Sequence, residues 1–275
     1  MRFALCLLGA LTAQAAPTAA EIMARVAANQ DRAEQLRSRY VYRQTTAIRV
    51  RDTHNQLTRE EISNFEIFPT AEGAGRKEVS FAGKYREGKT LLPYAKSGQP
   101  SGDGFRNEAD ASIAHSLRDD LTANKNGKDG ISPKLFPLTS HEQPYYTFEL
   151  KGEETVKGIP VYRVAFVPKK GEESPDTPWA GEALISRDDF EPVQVSTKLG
   201  QRIPFLVRTA LGTNLRGLGF TVTYSKFEDG VWFPVSYGTE FDFHVVFVYS
   251  RKIAVSLTNT DFKRTSAESG ITFEK

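Results

Sequence analysis

Cysteine is almost missing from this chain: its 275 residues hold one, Cys6, close to the N-terminus. Beyond that position a disulfide, a thiolate nucleophile and a cysteine metal ligand are all excluded. Long apolar runs are missing too. Past the stretch from Phe3 to Leu11, nothing approaches the roughly 20 apolar residues that a membrane-spanning helix needs. There is no excess of one charge either, since 36 Lys and Arg stand against 34 Asp and Glu. No long run of like charge appears, so nucleic acid or an anionic surface has no obvious landing site. The four histidines, His54, His115, His141 and His244, each stand alone, whereas a metal site needs several donors converging. We therefore read no metal site and no cofactor.

Catalytic signatures are equally sparse. Asp188 and Asp189 are paired acids, but they sit in a tight link where aspartate serves turn geometry. The stretch from Gly212 to Gly219 lacks the Gly-Lys-Ser/Thr ending of a phosphate loop, and no Gly-x-Ser-x-Gly elbow occurs. No catalytic residue is assigned, and the chain reads as non-enzymatic.

What is present begins with an export signal. Arg2, the apolar run and Ala13-Gln14-Ala15 have its three parts, so residues 1–15 are predicted to be removed and residues 16–275 to form one exported domain. Thr18 and Glu21 then make a capping box for an amphipathic helix with Ile22, Met23, Val26, Ala33, Leu36 and Tyr40 at spacings near three and four. The chain passes directly into strand at Tyr40 and Tyr42, and about eleven short-linked strands are predicted, mostly as an antiparallel meander. Residues 97–121 interrupt them. Turn composition from Ser97 to Gly104 is followed by Ile113, Leu117 and Leu121 at helical spacing, which we read as an inserted loop and short helix, a lid.

The stretch Glu240 to Thr258 (EFDFHVVFVYSRKIAVSLT) alternates with a period of two, its odd positions carrying Phe241, Phe243, Val245, Phe247, Tyr249, Arg251, Ile253, Val255 and Leu257. As one flat strand from Phe241 to Leu257 it would run to roughly 58 Å, so a bend near Ser250-Arg251-Lys252 is expected, of the kind that coils a sheet toward a barrel. A face so rich in rings exceeds the roughly 300–600 Å² apolar patch that a monomer leaves exposed. One helix stripe is too small to cover it. Three covers are open: the sheet curls over its own face, a second sheet packs on it, or a ligand fills the gap.

Several of these features together resemble the lipoprotein carrier superfamily, which includes the lipoprotein localisation factors LolA and LolB and the envelope-stress regulator RseB. They are the signal, the helix leading into Tyr40-Val41-Tyr42, the hairpin from Trp179 to Ser186 with Asp189 to Val195, and the run from Tyr224 to Ser236. The resemblance implies a mainly β fold, a strongly curved antiparallel sheet forming an unclosed half β-barrel, with the N-terminal amphipathic helix and the short inserted helix over its concave face. It also implies a periplasmic, non-enzymatic carrier of lipid or lipoprotein acyl chains, with a place in outer-membrane lipoprotein sorting and an envelope protein as a further partner. Arg43 is the nearest match to the arginine with which the carrier latches its lid, and parity turns it outward, opposite Tyr42.

On this reading Phe241, Phe243, Val245, Phe247, Tyr249, Phe220, Tyr224, Phe233 and Tyr42 line the ligand site, and Met23 and Leu36 lie on its movable cover. Two alternatives stay open: a structural or stress-sensing scaffold with a fully packed interior, and a small outer-membrane β-barrel.

Overall fold

The computed structural model describes residues 16–70, 73–98, 104–122, 136–170, 179–199, 213–216, 219–227, 229–245 and 249–265. The proposed signal, residues 1–15, lies outside them. Helix α1 (Ala19–Arg37) starts where the sequence indicates: Thr18 Oγ1 accepts from the Glu21 backbone N–H at 3.2 Å, and the Glu21 carboxylate accepts from the Thr18 N–H at 2.7 Å. Its buried stripe is Ile22, Met23, Val26, Ala27, Gln30, Ala33 and Arg37.

Four strands follow, β1 (Tyr40–Arg51), β2 (Leu57–Thr70), β3 (Gly73–Glu87) and β4 (Thr90–Tyr94), each pairing with the one before. Helix α2 (Phe105–Thr122) comes next, within the segment read as an insertion. The remaining strands are β5 (Tyr146–Val156), β6 (Ile159–Pro168), β7 (Trp179–Ser186), β8 (Pro192–Leu199), β9 (Thr213–Arg216), β10 (Gly219–Lys226), β11 (Trp232–Val245) and β12 (Tyr249–Arg264). They make one antiparallel sheet in the order β4-β3-β2-β1-β12-β11-β10-β8-β7-β6-β5, with β9 beside the far half of β11.

The last strand thus lies against the first. The chain builds outward from β1 to the β4 edge, crosses to the opposite edge at β5, and meanders back to close on β1. Edges β4 and β5 are not paired with each other, so the sheet is open and mainly β, as expected. Breaks in register, among them those at Asn64/Phe65, Leu150/Gly152 and Thr223/Tyr224, are bulges, each of which adds local twist and bend.

One expectation is corrected. The stretch from Glu240 to Thr258 is a hairpin, not a single bent strand: β11 ends at Val245, β12 begins at Tyr249, and those two residues face each other, followed by His244 opposite Ser250 and Phe243 opposite Arg251. The expected corner at Ser250-Arg251-Lys252 is therefore an ordinary paired segment. Val245 and Tyr249 have the same parity, so the odd positions of both arms share one face. Alternation alone cannot separate such a hairpin from one continuous strand.

The main core lies on the sheet face that carries the helices, here the inner face. It joins Ile22, Met23 and Val26 of α1 to Ile48, Val164, Phe166, Ala183, Ile185, Val195, Val222, Tyr237, Ile253, Val255 and Leu257. Among the described residues no helix is long and apolar enough to cross a membrane.

Candidate functional site

The two helices cover different parts of the inner face. Helix α1 packs against β5 and is tied to the β7–β8 turn, where the Asn29 side-chain amide donates to the carbonyls of Asp189 and Phe190 at 2.8 and 3.1 Å. Gln30 Nε2 donates to Glu191 at 2.5 Å, Arg37 donates to the Gln30 side-chain oxygen at 3.0 Å, and Arg37 Nε reaches the Trp232 carbonyl at 2.8 Å. The Arg25 guanidinium lies 4.5 Å from the Phe190 ring centre. Glu191 is only 9% exposed. Burial is the largest influence on its carboxyl and outweighs the opposing pull of Arg37 and Gln30, so its pKa rises to about 7.

Helix α2 packs on β1 and β2 through charges buried on both partners. Near its C-terminal end Arg118 donates to Glu61 at 2.8 Å, and Glu61 also accepts from Arg59 at 3.2 Å and from the Tyr94 hydroxyl at 2.6 Å. Nearer its start Asp110 receives Arg251 Nε at 2.7 Å and the Tyr249 hydroxyl. Exposures of 2% for Glu61, Arg59 and Asp110 and 4% for Arg118 make these interior ion pairs. Burial first, and the Asp110 carboxylate next, push the Tyr249 phenol pKa well up, so it stays a hydrogen-bond donor.

Between the two covers runs a band of rings that is only half-buried: Phe220, Phe241, Phe243 and Trp179. Trp179 stands edge-on to Phe220 at 4.6 Å, and Phe220 stacks on buried Tyr237 at 5.4 Å. At the other end Phe243 meets Tyr249, which meets Phe105 of α2. Phe105 is 57% exposed, so the band reaches solvent beside the start of α2. On the same strand, the buried Thr239 hydroxyl has no protein hydrogen-bond partner.

The structure gathers some of the sequence-derived residues here and sends others elsewhere. Phe220, Phe241, Phe243 and Tyr249 belong to the band, and Tyr224 is buried in the core beside it. Val245 is placed by its pairing with Tyr249, and Phe247 lies outside the described residues. Phe233 packs instead with Tyr40, Val231, Phe227 and Phe262. Its displacement has a local cause: Thr223 pairs with Ser236 but Tyr224 with Pro234, which leaves Val235 as an extra residue and reverses the parity of everything before it. Tyr42 packs with Phe65, Ile67 and Phe262 in a third cluster.

Met23 is 1% exposed in the main core, whereas Leu36 is 39% exposed and stands off the buried stripe of α1. Arg43 points outward, as parity requires, 3.7 Å from an exposed Asp261. Sequence reasoning did not select Trp179, Tyr237, Phe105, Asp110 or Arg251 for the site. The alternation of β7 and β11 carries Trp179 and Tyr237, but the meeting of Asp110 with Arg251 has no local signal. Among the described residues no group of three or more His, Cys, Asp or Glu is placed to hold a metal ion.

No family model matches the sequence, and no curated protein matches it. Solved structures do show similarity. A DUF1329 family protein from Desulfovibrio piger aligns over 94% of this chain and 96% of its own at 11% identity and a TM-score of 0.39. A LolA superfamily protein from Nitrosomonas europaea covers 94% of this chain and 99% of its own at 12% identity and a TM-score of 0.33. The MucA/MucB complex structure from Pseudomonas aeruginosa gives 88% and 99% at 9% identity and a TM-score of 0.22.

Proposed function

We propose that this chain is an exported, periplasmic, non-enzymatic carrier that holds the apolar part of a lipid or of a lipid-modified protein against the inner face of its sheet. One observation carries the reading: the inner face keeps Phe220, Phe241, Phe243 and Trp179 only half-buried, Trp179 against Phe220 and Phe241 and Phe243 at alternate positions of β11. Each large aromatic side chain is worth roughly 150–250 Å² of burial, so four left half-covered are a standing gain for any apolar guest. Polar chemistry around the row supports binding rather than catalysis. The guanidinium beside it, Arg251, is paired with the Asp110 carboxylate of α2, and Tyr249 is kept protonated.

Native mass spectrometry of the purified protein tests this directly. Lipid should co-purify with the wild type and be lost from Phe243→Glu, while that variant keeps the wild-type circular dichroism. A half-buried position tolerates the carboxylate in a way that a core position would not. If no lipid accompanies the wild type and Phe243→Glu unfolds the chain, the row is core and the packed-scaffold reading replaces this one.

A further inference from the structure

The register of the last hairpin sets a cation among the rings. Phe243 stands opposite Arg251 and Phe241 opposite Ile253, so the guanidinium and the aromatic row share the inner face. Arg251 is 8% exposed, and its partner Asp110 is 2% exposed. The pairing is bidentate, with Nε to Oδ1 at 2.7 Å and Nη2 to Oδ2 at 3.3 Å. Tyr249 donates its hydroxyl to the same oxygen Oδ1, and its ring lies 4.5 Å from the Arg251 guanidinium. The start of α2 is thus seated by one carboxylate on a fork made of Arg251 and Tyr249.

Such a fork matches a carboxylate by its planar geometry and charge, and neither property is peculiar to aspartate. The half-covered row begins next to it. From Phe243 along β11 to Tyr237, where Phe220 stacks, is about 20 Å at roughly 3.4 Å per residue, a path suited to a long acyl chain. We infer that the ligand is a long-chain amphiphile with a carboxylate head, which takes the place of Asp110 on Arg251 and Tyr249 while its tail lies along Phe243, Phe241 and Phe220. This rests on the carrier reading and narrows it to a substrate class.

The exchange keeps the buried cation paired throughout, because one carboxylate leaves as another arrives. A neutral head offers no such replacement, and displacing Asp110 with it would strand Arg251 in the interior. Only the first part of α2, from Phe105 to Asp110, has to move. Arg118 remains on Glu61 at 2.8 Å, so the far end of the helix acts as the pivot. Exposed Phe105 then marks the side on which the gap opens.

The experiment compares heads on one tail. Laurate, dodecanol and dodecyltrimethylammonium, each below its micellar concentration, are titrated into the purified protein at neutral pH, and binding is followed by tryptophan fluorescence, since Trp179 lies in the row. Laurate is expected to bind more tightly than dodecanol by on the order of tenfold, the scale of a charge-assisted hydrogen bond in a dry site, and the cationic surfactant more weakly than either. Asp110→Asn weakens the internal competitor and should tighten laurate but not dodecanol; Arg251→Gln should bring the two together. Equal binding of laurate and dodecanol to the wild type and to Asp110→Asn overturns the inference and leaves the carrier reading standing. Failure of all three surfactants to bind either protein overturns both. The wild-type comparison decides the matter even if Arg251→Gln does not fold.

Discussion

Replacing Glu191 by glutamine should stabilise the protein in alkaline solution and do almost nothing in acid. Glu191 sits at 9% exposure under α1, where burial raises its pKa from the ordinary 4.5 to about 7. The folded chain therefore keeps a proton that the unfolded chain has released. The stability due to this group is complete below about pH 4.5 and is lost as pH rises through about 7. At 1.36 kcal/mol per pH unit, the gap between 4.5 and about 7 makes the ionised side chain cost about 3 kcal/mol in the folded state. Glutamine stays neutral at every pH and can still accept the Gln30 amide hydrogen that Glu191 accepts at 2.5 Å. Urea unfolding at a series of pH values gives the comparison, with stability taken from midpoint and slope. The two proteins should agree near pH 4, and the variant should gain about 3 kcal/mol by pH 8, with an unchanged slope. A glutamine variant less stable than wild type at pH 8 would refute the reasoning, because it would mean that attraction to Arg37 exceeds the cost of burying the charge.

Three further outcomes test the packing of the sheet and its helices. Glu61→Gln removes the carboxylate shared by Arg59, Arg118 and Tyr94; it should cost about 3–5 kcal/mol by denaturant unfolding and speed amide exchange in α2. Arg43→Ala, which removes an exposed pair at 3.7 Å, should change stability by less than about 1 kcal/mol in the same assay. Gly181→Ala puts a Cβ 2.1 Å from the Ser196 carbonyl oxygen, too close for the neighbouring strand to keep its place, and should lower stability by about 1–3 kcal/mol.

Much of the fold is written in local patterns. Thr18 and Glu21 announce the start of α1, Ile113 and Leu117 the body of α2, and the alternation of β6, β7 and β8 the face that each residue takes, because every one of these signals spans fewer than about ten residues and depends on backbone geometry alone. Parity fails where the backbone adds a residue. Val235 is unmatched against β10, and from that point back toward Trp232 the inward and outward positions trade places, which removes Phe233 from the row. The hairpin at β11–β12 misleads in the opposite sense: the reversal preserves parity, so the odd positions from Phe241 to Leu257 keep the expected face although the strand itself turns back. Excess length was the usable warning there, since a flat strand of roughly 58 Å has to be broken somewhere.

The candidate site divides along the same line. Its apolar half is legible because rings at alternate positions must share a face, and Phe241 and Phe243 need no knowledge of the rest of the molecule to be placed together. Its polar half is not. Asp110 and Arg251 are 141 positions apart, one on the inserted helix and the other on β12. Only the return of β12 to β1 brings Arg251 under α2, and that pairing is a choice made by the whole sheet. Charge in a sequence is ordinarily a mark of the surface, so burial of such a pair becomes visible only once topology is known. Arg251 nonetheless occupies an odd position in the aromatic row. A lone cation in register with rings on a face that must be buried has to be paired inside the protein or neutralised by what the protein binds, and the carboxylate exchange at Arg251 joins those two possibilities in one site.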